Sequence, residues 1–149
     1  MIISRTPFRV SLAGGGSDLE DYYRQRPGHV VTTAINRYMY VTVNPRFDDS
    51  IRVSYTRTEI VDQIDDLQHD LIRESMKMTG LTKGIEITTV ADLPAGIGLG
   101  SSSTLTVGVL NALYAMKAEW RSPADLARQA CEIEIEVLRK PIGKQDQYI

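Results

Sequence analysis

The chain has 149 residues, of which 42% are hydrophobic and 24% are charged, and its formal net charge is −2. This length is enough to bury one hydrophobic core but not two, and the composition is average for a globular protein. The scattered Lys and Arg residues argue against a surface for nucleic acid or anionic membranes. No apolar run approaches the ~20 residues that a membrane span requires.

The single cysteine, Cys131, excludes an internal disulfide framework, and two histidines leave too few ligands for a zinc site. The first residues, MIISRTPFRV, lack the basic start, long apolar middle and small-residue cleavage site of a signal peptide. We therefore expect a soluble, cytoplasmic domain that binds neither nucleic acid nor membrane.

The first predicted element is a strand with one apolar face, because Phe8, Val10 and Leu12 alternate with Arg9 and Ser11. Taken alone, Arg9 fits a surface ion pair at least as well as a contact to an anionic ligand.

A glycine-rich turn follows this strand, and Gly14–Gly16 permit backbone angles that other residues rarely adopt. Ser17 or Asp18 is predicted to cap a short helix over residues 19–25. Asp18 could also accept hydrogen bonds from sugar hydroxyls, so a capping role and a binding role both stay open.

The middle of the chain predicts antiparallel sheet over residues 29–55. Residues 29–35 and 37–45 are predicted as two strands with Asn36 near the turn between them, and residues 51–55 as another.

The later elements are mostly helical. A helix is predicted over residues 65–79 with Gly80 as its end, and a strand over residues 84–90. Two further helices are predicted, of which the second begins near Pro123 and is capped by Ser122. The apolar stripes of these two helices are Leu105, Val109, Ala112, Leu113 and Met116, and then Leu126, Ala130, Ile133 and Val137. The order of elements favours an α+β domain in which helices cover one side of a mixed sheet.

The segment LPAGIGLGSSSTL, residues 93–105, places glycines and serines directly before a predicted helix. Such a loop presents unpaired N–H groups and the positive end of the helix dipole, which suits phosphate. An ordinary capped loop is the alternative, since the segment has neither the GK[ST] of a P-loop nor the GxGxxG spacing of a dinucleotide fold.

The last segment, CEIEIEVLRKPIGKQDQY, places Asp146 close to Lys144. A carboxylate near a lysine can serve as general base in phosphoryl transfer to a hydroxyl. On the preceding helix, Glu132 is predicted to point away from the apolar stripe, while Glu134 and Glu136 border it. Either bordering carboxylate could reach Mg²⁺, or both could be solvated.

These three segments, in this order, resemble the GHMP kinase family. LPAGIGLGSSSTL is similar to the family's phosphate loop, P-x-G-x-G-L-G-S-S, and PFRVSLAGGGSD resembles its N-terminal motif. The triple glycine before Ser-Asp is more similar to kinases of D-glycero-D-manno-heptose 7-phosphate than to galactokinase, which has GEH there. PIGKQDQY is similar to the VGSQDQ of the heptose kinases. The fold implied is a ribosomal protein S5 domain 2-like α+β domain with a mixed, mostly antiparallel sheet and helices on one side.

The resemblance also implies roles for individual residues. Mg²⁺ would be held by Ser102 and Glu134, and Asp146 would accept or stabilise the proton of the acceptor hydroxyl. The ATP phosphates would be wrapped by Pro94, Gly96, Gly98, Leu99, Gly100, Ser101, Ser102 and Ser103. The sugar phosphate would be contacted by Arg9, Gly16, Ser17 and Asp18.

The implied reaction is transfer of the γ-phosphoryl group of ATP to a sugar hydroxyl, with the anomeric hydroxyl of a heptose 7-phosphate as the first choice. Galactose and fucose stay open as acceptors. Family members continue into a C-terminal domain, so residues 1–149 are predicted to be the N-terminal, ATP-binding half. A non-catalytic fragment that binds nucleotide or sugar phosphate is an alternative, and so is a half-enzyme completed by self-association or a partner chain.

Overall fold

The computed structural model describes residues 1–149 and contains one five-stranded mixed sheet. The strands are β1 (Ile2–Ala13), β2 (Val31–Pro45), β3 (Ile51–Ser54), β4 (Thr58–Val61) and β5 (Ile85–Ala91). Their spatial order is β1-β2-β5-β3-β4, and only the β3–β5 pair is parallel.

The helices pack on one face of this sheet, as expected for an α+β domain. They are α1 (Glu20–Tyr23), α2 (Asp70–Thr79), α3 (Ser101–Met116) and α4 (Pro123–Cys131). A π-helical segment (Glu132–Val137) extends α4, and short 3₁₀ turns lie at Ile64–Asp66 and Asp146–Tyr148. No helix is long and apolar enough to cross a membrane.

The core lies between the sheet and α2 and α3. Its largest completely buried side chains include Phe8, Ile51, Ile72, Leu110 and Leu113. α3 contributes more residues to this core than any other helix, so the loop before α3 is attached to the centre of the packed domain.

The prediction of a turn at Asn36 was wrong, because β2 runs without a break from Val31 to Pro45. Pro7 pairs with Tyr38 but Arg9 pairs with Ala34, so β2 holds two extra residues opposite β1 at this point. An irregularity of this kind can redirect a side chain. Here it interrupts the alternation of β1, and Arg9 is buried directly after a buried Phe8.

The predicted apolar face of β1 is also incomplete, since Leu12 is 65% exposed. The prediction that residues 29–55 form antiparallel sheet was only partly right. β3 does not pair with β2; it pairs parallel with β5 and antiparallel with β4, a strand that the sequence patterns did not reveal. Alternation identifies a strand's buried face but does not identify its neighbour.

The predicted helix over residues 65–79 begins later, at Asp70, after the 3₁₀ turn. Gly80 ends it with a left-handed φ of 75°, and Ser122 caps α4 by accepting a hydrogen bond from the Asp125 N–H; both were predicted. The π-helical segment changes the angular spacing after α4. For that reason Val137, expected on the apolar stripe, is 52% exposed.

A left-handed residue after α3 gives a testable stability effect. Ala118 has φ = 57° and lies exposed just beyond the C-terminus of α3. A Cβ atom in this conformation costs roughly 1–2 kcal/mol, so we expect Ala118→Gly to raise the unfolding temperature. Ala115→Gly, at an exposed position within α3, is the control and should lower the free energy of unfolding by up to about 1 kcal/mol. Chemical denaturation measures both, and a destabilised Ala118→Gly would contradict the assigned cause.

Candidate active site

The loop before α3 has a backbone suited to binding an anion. Gly96, Gly98 and Gly100 have φ values of 84°, 77° and 77°, while the residues between them have negative φ. Alternating φ signs turn successive N–H groups toward one side and form a concave anion site. No backbone N–H between Ala95 and Gly100 donates a hydrogen bond to another protein group.

The same loop ends at the N-terminus of a 16-residue helix, α3. Gly100 occupies the N-cap position and supplies no capping side chain, so no side chain competes for the first N–H groups of the helix. The loop and the helix end together offer a set of free donors with a favourable dipole for a polyphosphate.

Arg9 links this loop to the other end of the chain. Its Nη1 donates to the carbonyl oxygen of Gly98 at 2.6 Å, and its backbone N–H donates to the Leu99 carbonyl at 3.3 Å. Its Nε and Nη2 contact Oδ1 of Asp146 at 2.7 Å and 2.6 Å. The Arg9 side chain is 10% exposed and that of Asp146 20%, so this is a largely desolvated ion pair.

Asp146 is thereby held beside the glycine loop. A Cβ atom at Gly100 would lie 3.2 Å from Oδ2 of Asp146. The carboxylate therefore faces the position where the loop joins α3, next to the free N–H groups described above.

Glu134 lies at the first turn of α3 and is completely buried. Its Oε2 accepts hydrogen bonds from Ser102 Oγ at 3.0 Å and Ser103 Oγ at 3.1 Å. Burial raises the pKa of Glu134, and the hydrogen bonds from these hydroxyls oppose that rise. Glu136, its sequence-level alternative, is exposed, because the π-helical segment turns only Glu134 inward.

These oxygens suit a magnesium ion. Ser102 Oγ and Glu134 Oε2 are hydrogen-bonded at 3.0 Å, and hydroxyl and carboxylate oxygens are the ligand type that Mg²⁺ prefers. The structure contains no group of three or more His, Cys, Asp or Glu residues that could hold a metal without help. A Mg²⁺ ion shared with phosphate groups and water needs only one or two protein ligands.

Gln147 is a site residue that the sequence analysis did not identify. It is 3% exposed. In either orientation of its amide, one polar atom lies 3.0 Å from Ser103 Oγ. Gln147 therefore attaches the segment that carries Asp146 to the first turn of α3. The signals available in the sequence were its position directly after Asp146 and its place in the QDQ part of the motif match.

Of the predicted sugar-binding residues, Arg9 lies within β1, while Gly16, Ser17 and Asp18 lie in the loop after it. Ser17 and Asp18 are already engaged within the protein. Ser17 Oγ contacts the carbonyls of Gly14 at 2.7 Å and His29 at 2.9 Å, and it accepts from the His29 N–H at 3.0 Å. Asp18 accepts from the N–H groups of Gly16 and Gln145. Gly16 itself has open space around its Cα.

A cavity of about 340 Å³ adjoins the glycine loop, and the sequence patterns did not predict it. Leu93, Pro94 and Ala95 form its wall on the loop side. The remaining lining is mixed: Met39, Ala91 and Leu105 are apolar, and the polar residues are Tyr55, Thr56, His69, Thr89 and Ser101. Burial lowers the pKa of His69, which favours the neutral imidazole at pH 7.

Two alanine variants test whether the close contact between Gly100 and the Asp146 carboxylate contributes to polyphosphate binding. Gly98→Ala and Gly100→Ala both place a Cβ in a left-handed conformation, at a similar cost of roughly 1–2 kcal/mol. Only at Gly100 would that Cβ meet Asp146; at Gly98 nothing lies within 4 Å. We expect Gly100→Ala to disturb the Arg9–Asp146 pair and to weaken polyphosphate binding more than Gly98→Ala does. Calorimetric titration with Mg·ATP measures this, and equal losses would contradict it.

A glycine loop with free N–H groups, a buried carboxylate beside the serines of α3 and an arginine-paired aspartate lie together at the N-terminus of one helix on an α+β fold. Residues 67–149 match the model of the GHMP kinases N terminal domain. The chain belongs to the GHMP kinase family, whose members have the ribosomal protein S5 domain 2-like fold.

Individual relatives agree with this assignment. The chain is 34% identical, over 99% of its length, to a D-glycero-alpha-D-manno-heptose 7-phosphate kinase of Campylobacter jejuni, and it covers 47% of that protein. It is 32% identical, over 72% of its length, to a galactokinase of Chloroflexus aggregans, and it covers 29% of that protein.

Solved structures give the same result. A D-glycero-D-manno-heptose 1-phosphate kinase from Bacteroides thetaiotaomicron matches with a TM-score of 0.89 and 32% identity, over 99% of this chain and 52% of that one. A mevalonate kinase matches with a TM-score of 0.79 at 17% identity, over 99% of this chain and 50% of that one, and shows the shared fold. The chain thus spans about half the length of its best-covered relatives.

Proposed function

We propose that this chain binds Mg·ATP and takes part in transferring the γ-phosphoryl group to a sugar hydroxyl. The observation that supports this most strongly is the convergence of three groups at the N-terminus of α3. These are the free N–H groups of the glycine loop, the Ser102–Glu134 oxygen pair, and Asp146 with its arginine.

The nucleotide would bind with its phosphates against residues Pro94–Ser103 and its nucleoside in the cavity lined by Leu93 and Pro94. The cavity volume, about 340 Å³, falls in the range of small-ligand sites. Because the loop's own charge is neutral, binding would rely on backbone donors and the helix dipole.

Mg²⁺ would be held by Ser102 and Glu134, and when bound it supplies neutralisation of the phosphate charge. Glu134 contributes a negative charge that is already buried and oriented by two serine hydroxyls. Ser102 contributes its hydroxyl oxygen from the first turn of α3, directly beside the phosphate-binding N–H groups.

Asp146 would accept the proton of the acceptor hydroxyl. Arg9 holds only Oδ1 of this carboxylate, and no protein hydrogen bond to Oδ2 is present. Oδ2, the oxygen nearer to Gly100, is thus free to meet a hydroxyl group. Most of the remaining catalysis would come from in-line positioning and charge neutralisation.

For the acceptor we propose a heptose phosphate, most directly the anomeric hydroxyl of a heptose 7-phosphate. The supporting facts are the names of two relatives, which are 34% and 32% identical to this chain over 99% of its length. In addition, Lys144, two residues before Asp146, has no carboxylate partner and lies 4.3 Å from the centre of the Tyr23 ring. Such a cation is available to a phosphate group. Arg9, Gly16, Ser17 and Asp18 stay predictions as sugar-phosphate contacts.

The direct test is incubation with Mg·ATP and a panel of acceptors, followed by ³¹P NMR of the products. The panel contains heptose 7-phosphate, heptose 1-phosphate, galactose and fucose. A new sugar phosphate resonance with heptose 7-phosphate alone would support the full proposal. Product from galactose or fucose instead would overturn the acceptor assignment.

A second candidate function is binding of nucleotide or sugar phosphate without turnover by this chain alone. The chain spans 47% and 52% of the heptose kinases that it resembles. In this case catalysis would require residues of the kind that those kinases contain beyond the matched half. Mg·ATP binding without any product in the ³¹P experiment would identify this case. For the first candidate function, the use of ATP favours a cytoplasmic location.

A further inference from the structure

We infer that Asp18 is a positioning residue for Asp146, an inference that rests on the proposed function of Asp146 as proton acceptor. The two carboxylates belong to loops far apart in the sequence. Asp18 Oδ2 accepts from the backbone N–H of Gln145 at 3.2 Å, and its carbonyl oxygen accepts from the N–H of Lys144 at 3.2 Å. Asp18 thus binds two successive residues of the segment that leads into Asp146.

The other carboxylate oxygen of Asp18 is fixed as well. Oδ1 accepts from the backbone N–H of Gly16 at 2.9 Å, which sets the direction of the side chain. Each oxygen of the Asp18 carboxylate therefore has its own backbone donor, one in each loop.

Gly143 shows how closely the two loops approach. A Cβ atom at this position would lie 1.9 Å from Oδ2 and 2.3 Å from Cγ of Asp18. Real side chains never approach so closely, so only glycine allows the carboxylate to lie against this backbone. We call this contact between Asp18 and residues Gly143–Gln145 the clasp.

The clasp is anchored on its other side too. Ser17 fastens the Gly14–Asp18 loop to His29, and a Cβ atom at Gly28 would lie 2.0 Å from the Ser17 carbonyl oxygen. The loop is therefore attached to the residues that lead into β2, and it can serve as a fixed base for the clasp.

Asp146 follows the clasp directly, and its other restraints are the Arg9 pair and the buried Gln147. Loss of the clasp would release the Gly143–Gln145 backbone and so loosen the orientation of the Asp146 carboxylate toward the loop. This role differs from a sugar contact because it acts through the backbone and needs no substrate.

The test uses Asp18→Ala and Gly143→Ala, with Asp21→Ala as control, since the exposed Asp21 side chain makes no hydrogen bond or ion pair. The readouts are hydrogen exchange of the Gln145 amide and of the Arg9 Nε–H, which reports on the Arg9–Asp146 pair in ¹⁵N spectra. We expect both protons to exchange at least tenfold faster in either variant but not in the control. Without the clasp, the local opening that exposes these N–H groups to water needs fewer contacts to break.

Asp18→Asn keeps the shape of the side chain and one acceptor oxygen, so it should increase the exchange rates by an intermediate amount. This variant provides the test if Gly143→Ala does not fold. The double variant should exchange no faster than the more affected single variant, because both changes remove one contact. Unchanged protection of the Arg9 Nε–H in Asp18→Ala, with weaker binding of sugar phosphate alone, would overturn the inference. These readouts need no turnover, so absence of Mg·ATP binding would count against the proposed function and not against the clasp.

Discussion

Replacement of Asp146 with asparagine is expected to lower phosphoryl transfer by about 10²–10⁴-fold and to leave Mg·ATP binding almost unchanged. Asparagine preserves the shape of the side chain but cannot accept the proton of the acceptor hydroxyl. The loop N–H groups and the Ser102–Glu134 pair, which would bind the nucleotide, are not altered. Steady-state turnover and calorimetric titration of the same preparation separate the two effects.

The asparagine variant is preferable to alanine because of Arg9. Removing one partner of a desolvated ion pair leaves an unpaired charge and typically costs 3–5 kcal/mol, whereas an amide oxygen still accepts from the guanidinium. Asp21→Asn is the matched control on the protein surface. Normal turnover by Asp146→Asn would refute its role as proton acceptor.

Replacement of Glu134 with glutamine is expected to have opposite effects on stability and on metal binding. Burial raises the pKa of Glu134 above its ordinary value of 4.5. At pH values between 4.5, the pKa in the unfolded chain, and the higher pKa in the folded protein, the folded state binds more protons than the unfolded state. The free energy of unfolding therefore falls as pH rises above about 4.5 and stays lower at neutral pH. Glutamine removes this cost, so the unfolding temperature without metal should rise at pH 7 but not at pH 4.

In the same variant, ATP should no longer raise the unfolding temperature of the protein more with Mg²⁺ than without it. The reason is that a neutral amide oxygen is a poorer ligand for a hard cation than a carboxylate. Glu136→Gln is the control, since Glu136 is exposed two residues away. Thermal unfolding at both pH values, with and without Mg·ATP, gives all of these quantities. A Glu134→Gln protein that keeps the full Mg²⁺-dependent shift would contradict the metal assignment.

Parts of the fold that depend on local patterns could be predicted from the sequence. The Ser122 cap, the end of α2 at Gly80 and the placement of helices on one face all follow from capping and periodicity. The unbroken β2 could not be predicted, because Asn36 also suits a turn and the irregularity opposite β1 arises from strand pairing. The parallel β3–β5 pair depends on the same long-range choice.

The candidate site shows the same division. The glycine loop and Asp146 were apparent from the sequence as motifs, and the structure brings both to the N-terminus of α3. Helical geometry left Glu134 and Glu136 undecided, and the π-helical segment that buries Glu134 has no pattern of its own. The sequence left Arg9 open between an ion pair and a sugar-phosphate contact, and it could not identify Asp146, 137 residues away, as the ion-pair partner that the structure shows.

The most direct test of the central claim, that the Pro94–Ser103 loop and Glu134 bind Mg·ATP, is thermal unfolding of the chain with ATP, in the presence and absence of Mg²⁺. At a hundredfold excess over the dissociation constant, a ligand specific for the folded state adds ~2.7 kcal/mol of stability. We predict a Mg²⁺-dependent rise in the unfolding temperature that is lost in Ser102→Ala. A folded chain with no such rise, or a rise that Ser102→Ala retains in full, would contradict the claim.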